Sequence, residues 1–457
     1  MSTPEQIHSD ARKRFNELGQ ELLKQVVALA PVPMPSPSFR PDTVSASTLT
    51  TDDIVGDLHI TFGLPGGDPT GLAFVRADGA RVGLFGDGHK AFTSLVSALC
   101  RVRPFVDWAD RAFFEQETFA WVKANIRPET SGDLVTYLDE RLQMSVQVWE
   151  IVTPVSELFV QSEIGFGDVT IRTFPKEWLA QLESYGQPDD PQRAVWLARC
   201  QKWRERFQGI AAAFVSVRAV QRRAMEIAAE KTDLAVSVLR LFAPAHLVTS
   251  HVSRVAPWNQ APQRSQAVFI GDGDRRCVSF REGLSDLDAR MQIDDNVRPL
   301  LEQAGLSEMR QLVAKDAKNE FEDVLLSAIA MFGRAALTSD HRERLVWYCA
   351  GLESILLRSD SEPIVQNLSE RLALFTYDSL SERKEAVAQI RSTYALRSKF
   401  VHHGEAVGDA SAVRGLAAHG IRFFVKTAKR VSLFPTKLAF LESIEGIKLS
   451  GPAAAQS

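Results

Sequence analysis

The chain changes its hydrophobic period near Ser285, and that change sets what it can fold into. Downstream, five stretches (318–338, 342–358, 362–379, 381–402 and 409–430) carry an apolar residue every three or four positions, the repeat of one helix face. Val346, Ala350, Leu352, Ile355 and Leu356 mark one such stripe. Five helices joined by short links predict an all-α bundle.

Upstream the text is mixed. Residues 5–30 carry Phe15, Leu18, Leu22, Leu23, Val26 and Val27 at helical steps. The run PVPMPSPSFRP that follows cannot hold a helix and suits an extended linker. Short strands begin near Ile54. Residues 72–76 and 81–85 flank Ala77-Asp78-Gly79-Ala80, and Asp-Gly between such runs signals a hairpin. Residues 89–147 read as mainly helical. Residues 159–161 and 169–172 flank a Gly-Phe-Gly-Asp turn. Residues 192–243 read as one or two long helices with Trp196, Trp203, Phe207, Ile210, Phe214 and Val217 on the buried side. A last hairpin is expected around Gly271-Asp272-Gly273-Asp274. Turns are also expected at Phe85-Gly86-Asp87-Gly88-His89, rather than a phosphate or metal loop.

The expected fold class is therefore α+β and multidomain. An N-terminal helix (1–30), a Pro/Ser-rich linker (31–50) and a mixed region of short antiparallel strands and long helices (51–315) precede the all-α bundle (316–432). A C-terminal extension (433–457) follows, its small, polar end expected to be disordered.

Composition excludes several classes of function. A hydrophobic fraction of 45% with 24% charged residues is that of an ordinary globular protein. The net charge of -4 argues against bulk binding of nucleic acid by the whole chain. Between His341 and Arg430, however, fourteen Lys and Arg face ten Asp and Glu, a mildly basic tilt. Arg218, Arg222 and Arg223 form an Arg-rich interval best explained as a solvated helix face. Cys100, Cys200, Cys277 and Cys349 lie too far apart for a zinc or redox motif and read as reduced, mostly buried thiols. Residues 1–20 are polar and charged, and no run of about twenty apolar residues occurs. The expected setting is soluble and cytoplasmic, with no membrane partner. No GxxxxGK[ST], HExxH or GxSxG pattern occurs and the histidines form no metal constellation, so no cofactor or metal is expected.

Chemistry concentrates at Tyr394-Ala395-Leu396-Arg397-Ser398-Lys399-Phe400-Val401-His402-His403-Gly404. A guanidinium clamps a phosphate through two parallel hydrogen bonds, and an imidazole exchanges protons near neutral pH. Gly404 suits a C-terminal cap. Positive groups also favour helix C-termini, so Arg397 and His402 fit phosphate chemistry or capping on residue types alone.

This stretch resembles the Arg-x4-His signature of HEPN domains, specifically the Apea-like branch. Leu352-Glu353-Ser354-Ile355-Leu356 resembles that branch's Leu-Glu helix and Ser369-Glu370-Arg371-Leu372-Ala373 the helix after it. Tyr394 stands where the branch often has an aromatic. The likeness covers about residues 318–432. It implies an all-α HEPN bundle and a metal-independent endoribonuclease, working as a homodimer in which two motifs converge on one cleft. Arg397 would bind the scissile phosphate and His402 would serve as acid or base as the 2′-hydroxyl attacks. His403, Tyr394 and Ser398 would be accessory. His402 fits the commoner spacing, and His403 also falls within the family's range. Residues 51–315 would then sense an unknown trigger, ligand or protein, in an effector or toxin of antiphage defence. Active members often carry Asn, Asp or His where this chain has Ser398. That departure supports the alternative, a non-catalytic HEPN module for dimerisation or RNA binding within a sensor or scaffold.

Overall fold

The computed structural model describes residues 7–29, 59–63, 69–75, 81–126, 132–184, 193–248, 251–260, 265–272, 275–282, 290–359, 361–403 and 410–450. The chain is mixed α+β and divides into two compact units, residues 1–149 with 217–226, and residues 150–216 with 227–457. The expected linker at 31–50 and the tail after Gly451 lie outside the described residues. Among the described residues no helix is long and apolar enough to cross a membrane.

The first unit opens with α1 (Ser9–Leu23) and β1 (Val27–Leu29). β2 (His59–Gly63), β3 (Pro69–Val75) and β4 (Arg81–Phe85) follow, and the antiparallel sheet runs β1-β4-β3-β2. The expected β3–β4 hairpin pairs, with its Asp78-Gly79 tip outside the described residues. Helices α2 (Asp87–Leu99), α3 (Arg103–Val106), α4 (Arg111–Asn125) and α5 (Leu134–Ser145) complete the unit. On α2, Phe92, Leu95, Val96 and Leu99 fall at steps of three, one and three residues and are all buried. They join Phe15, Leu84, Phe114, Phe119, Trp121 and Leu138 in one core. The expected turn at residues 85–89 is instead a strand-to-helix junction: Gly86 (φ 53°) reverses the chain directly into α2.

The Arg-rich interval at 218–223 is occupied within this unit. Arg218 lies 5.1 Å above the Trp108 ring. Arg222 pairs with Asp110 at 3.0 Å, and Arg223 donates to the Val106 carbonyl at 3.0 Å.

The second unit holds a five-stranded sheet. Its members are β5 (Gln147–Ser156), β7 (Ile164–Phe166), β8 (Val169–Thr173), β9 (Ala211–Ala219) and β10 (Ala256–Pro257), in the order β10-β5-β9-β8-β7. β6 (Leu158–Val160) pairs in parallel with β13 (Met291–Ile293). Residues 159–161 therefore do not flank the Gly-Phe-Gly-Asp turn; β7 and β8 do, with Gly167 at φ 66°. The hairpin expected at 271–274 forms between β11 (Ser265–Asp272) and β12 (Arg275–Glu282), its Gly273-Asp274 tip lying outside the described residues.

The long helical section expected at 192–243 is broken by β9. Helix α6 (Lys176–Ser184) precedes α7 (Arg193–Phe207), and Gly209 at φ 76° ends the helical run. Ala211–Val215 are buried without alternation, which is how a strand covered on both faces reads. The helical period resumes in α8 (Gln221–Arg240).

Helices α9 (Val297–Leu301) and α10 (Ser307–Ala314) lead into α11 (Glu320–Arg334), α12 (His341–Leu356), α13 (Ile364–Thr376), α14 (Leu380–His403), α15 (Ala410–Ala428) and α16 (Lys437–Ser450). The last six pack on one another, α16 resting on α13 and α11. Their core is aromatic: Phe332 lies 4.5 Å from Tyr348 and 5.1 Å from Phe424, and Phe375 lies 5.0 Å from Phe440. On α12 the buried stripe is Leu345, Tyr348, Cys349, Leu352, Ile355 and Leu356. Val346 and Ala350, expected on that stripe, are only half-buried at its margin.

Gly420 is where α15 meets that core. A Cβ there would sit 2.4 Å from a Phe332 ring carbon. Gly420→Ala is accordingly expected to destabilise the chain by about 2 kcal/mol through overpacking, read as a lowered urea midpoint at unchanged slope. An unchanged midpoint would mean the ring moves aside freely.

Candidate site on the α12–α14 seam

Helix α14 starts from Ser379, whose hydroxyl accepts the Glu382 amide at 3.3 Å and donates to its carboxylate at 2.6 Å. Its inward stripe then runs Ala386, Ile390 and Tyr394, all buried. Arg397 is the next position on that stripe, three residues beyond Tyr394. The rule that buries Ile390 thus lays the Arg397 stem along the seam with α12.

Across the seam stands Glu353. The Tyr394 hydroxyl donates to its Oε1 at 2.7 Å, and Arg397 Nη2 lies 3.9 Å from the same oxygen. The Arg397 guanidinium is also 5.4 Å from the Tyr394 ring centre, within cation–π range. A separation of 3.9 Å is an ion-pair contact and not a hydrogen bond. Among the described residues the guanidinium makes no hydrogen bond to the protein, and its Nε is buried without a partner. Arg397 and Glu353 are 24% and 22% exposed, so the guanidinium is held by the seam and still reachable from solvent.

The surroundings fix the protonation of this group. Burial, followed by the hydrogen bond to Glu353, pushes the Tyr394 phenol up, so it remains a donor at neutral pH. One turn before Glu353, the buried Cys349 thiol is pushed up by burial and then by the Glu353 charge. It is packing rather than a nucleophile.

The structure unites Tyr394 and Arg397 as their spacing predicts. Ser398 follows Arg397, half-buried. His402 and His403 close α14; their side chains, like Gly404, lie outside the described residues. On an uninterrupted helix, His402 sits about 140° around and about 7.5 Å along from Arg397. One copy of α14 therefore does not place the two groups on one face. In the sequence Glu353 stands only within the Leu-Glu helix signature, with no role of its own. The available signal was a carboxylate on the margin of the α12 stripe, one turn after a buried cysteine. Among the described residues no three His, Cys, Asp or Glu side chains gather as metal ligands would.

Chemically, the seam offers a positioned and incompletely satisfied cation. It suits a ligand with at least two acceptor oxygens. Comparison of the chain with protein-family models, with curated proteins and with solved structures finds no match in any of the three.

Proposed function

We propose that the chain is a metal-independent endoribonuclease effector of the HEPN type, its helices α11 to α15 forming the Apea-like bundle. The observation that carries the reading is Arg397: oriented by Glu353 and Tyr394, yet with a buried Nε and, among the described residues, no hydrogen bond to the protein. A guanidinium short of hydrogen bonds costs free energy, and a phosphate oxygen meeting its solvent-reachable part would supply one. The resemblance of residues 318–432 to Apea-like domains supplies the substrate.

In this mechanism Arg397 binds the non-bridging oxygens of the scissile phosphate and stabilises the charge that grows there. His402 acts as proton carrier and His403 as its reserve. The 2′-hydroxyl loses its proton to the base and its oxygen bonds to phosphorus. The P–O5′ bond breaks and the leaving oxygen takes up a proton, giving a 2′,3′-cyclic phosphate and a 5′-hydroxyl. Because Arg397 and His402 diverge on one helix, a homodimer that brings one copy's Arg397 to the other's His402 is the arrangement we favour. The remainder of the chain would answer an unknown trigger, and the setting would be cytoplasmic antiphage defence.

The test is purified chain with labelled total RNA and tRNA in EDTA, beside Arg397→Ala and His402→Ala. Cyclic-phosphate ends are expected from the wild type, with each variant slower by about a hundredfold or more, the usual effect of removing a charge-stabilising donor. Cleavage by all three at one rate, or by none, overturns the proposal. The second reading, a non-catalytic module, is favoured by the Glu353 ion pair, which partly neutralises Arg397. It expects both substitutions to leave RNA intact and the oligomeric state unchanged.

A further inference from the structure

Helix α7 has a composition that its packing does not explain. Its fifteen residues hold five Lys and Arg against one Glu, a net +4 in a chain whose total is -4. Only Cys200 is buried. A helix this short draws most of its stability from tertiary packing, and here that packing is narrow. Trp196, Cys200, Trp203 and Phe207 lie within about 60° of one another around the axis. The Trp196 indole donates to the Leu182 carbonyl of α6 at 3.0 Å, and Phe207 meets Trp258 with ring centres 5.0 Å apart. Arg204 pairs with Glu183 of α6. These contacts pin one face.

About 100° away runs a second stripe, Val195, Arg199, Lys202 and Arg206, at steps of four, three and four residues. All four are exposed, Val195 at 63%. Among the described residues Arg199 and Lys202 have no acidic partner. Arg206 has no carboxylate either and lies 5.9 Å from the Trp258 ring centre. The three cations span about 10.5 Å of helix, a length on the order of three backbone phosphates of one strand.

We infer that this outer face of α7 is a docking surface for the phosphodiester backbone of RNA. Two aromatic anchors and an ion pair hold the helix still, so the cations meet a polyanion already arranged. The face contacts phosphates only, so it adds affinity and no base selectivity. The choice of RNA as the polyanion rests on the nuclease reading of Arg397; the presence of the surface does not.

Binding can be measured apart from cleavage. The full chain is titrated into a labelled 20-nucleotide 2′-O-methyl RNA, which lacks the attacking hydroxyl, and fluorescence anisotropy is followed from 50 to 200 mM salt. Arg199→Glu/Lys202→Glu is expected to weaken binding at least tenfold. It should also flatten the log–log salt dependence by about 1.4, the share of two phosphate contacts on a single strand. Lys13→Glu/Arg14→Glu on α1 makes the same change in net charge and is expected to leave affinity within twofold. Circular dichroism checks folding, and Arg199→Gln/Lys202→Gln repeats the test without reversal of charge. Equal weakening by the two reversed pairs means bulk charge alone and overturns the inference, as does no change in either or no binding by the wild type. A DNA 20-mer is expected to bind within a few-fold of the RNA, because phosphates alone are contacted; DNA held at least tenfold more weakly overturns the phosphate-only docking surface. Poly-glutamate displacing the RNA at equal charge points to an acidic protein and overturns it as well. Cleavage lost at Arg397 but not at α7, or the reverse, tells the two readings apart.

Discussion

Arg344→Ala is expected to destabilise the chain by about 5 kcal/mol, the sum of three abandoned acceptors and a cavity. Arg344 is completely buried on α12. Its Nε donates to the Thr338 carbonyl at 2.7 Å, its Nη1 to Ala245 at 2.9 Å, and its Nη2 to His251. Those carbonyls lie outside α-helices and strands, where no ladder would satisfy them. Burial pushes the guanidinium's pKa down, and no carboxylate among the described residues compensates. One cation thus ties the start of α12 and the turn before it to the stretch at residues 245–251, more than ninety positions before Arg344 in sequence. Arg344→Met restores most of the volume and none of the donors, so about 3 kcal/mol of the loss is expected to remain. Urea denaturation measures both. A loss below about 1 kcal/mol for alanine would show that water takes over the three carbonyls, and the clamp would then be dispensable.

Nothing about Arg344 was legible beforehand, because a charged residue beside Glu343 on an amphipathic helix reads as surface. The same bias hides Arg240 and His246, both buried in the second unit. Where burial follows period, sequence and structure agree: the five expected helical stretches appear as α11 to α15, and Tyr394 and Arg397 share a face because they lie three residues apart. They part where two structures share one pattern. Ala211–Val217 continues the apolar content of the helices on either side, and its small residues carry no alternation, so only Gly209 separated α7 from β9. The parallel pairing of β6 with β13 was beyond reach, since each strand has three residues and their partnership spans more than a hundred positions. At the candidate site the cation was readable and its acceptor was not. Glu353 became the organising carboxylate only when α12 and α14 were brought side by side.

Acid is expected to unfold the chain through His246 before it acts through the carboxylates. His246 Nε2 is 2.9 Å from the Arg240 carbonyl, which can only accept, so that nitrogen carries the hydrogen. Nδ1 is left as acceptor for the Tyr348 hydroxyl at 2.9 Å. Complete burial, and secondarily the Arg344 and Arg240 cations, lowers the His246 pKa from 6.5 to about 4. The unfolded chain therefore takes up this proton near its ordinary value, while the folded chain refuses it until the pH approaches 4. Stability is retained above pH 6.5 and lost as pH falls through that window, by about 3 kcal/mol in total. Glu362 titrates lower: hydrogen bonds from Arg371 hold it at about 2, so its share is lost only below its unfolded value near 4.5. Urea midpoints at pH 7.5, 6.0, 5.0 and 4.5 separate the two groups. His246→Gln can still donate to Arg240 and accept from Tyr348, and it is expected to flatten the curve between pH 6.5 and 4.5 while leaving the steeper acid limb. If wild type and variant run parallel, His246 does not titrate on unfolding as argued. The Arg344→Met variant supplies a second control on the same curve, because removing that cation eases protonation of the imidazole and should shrink the His246 contribution.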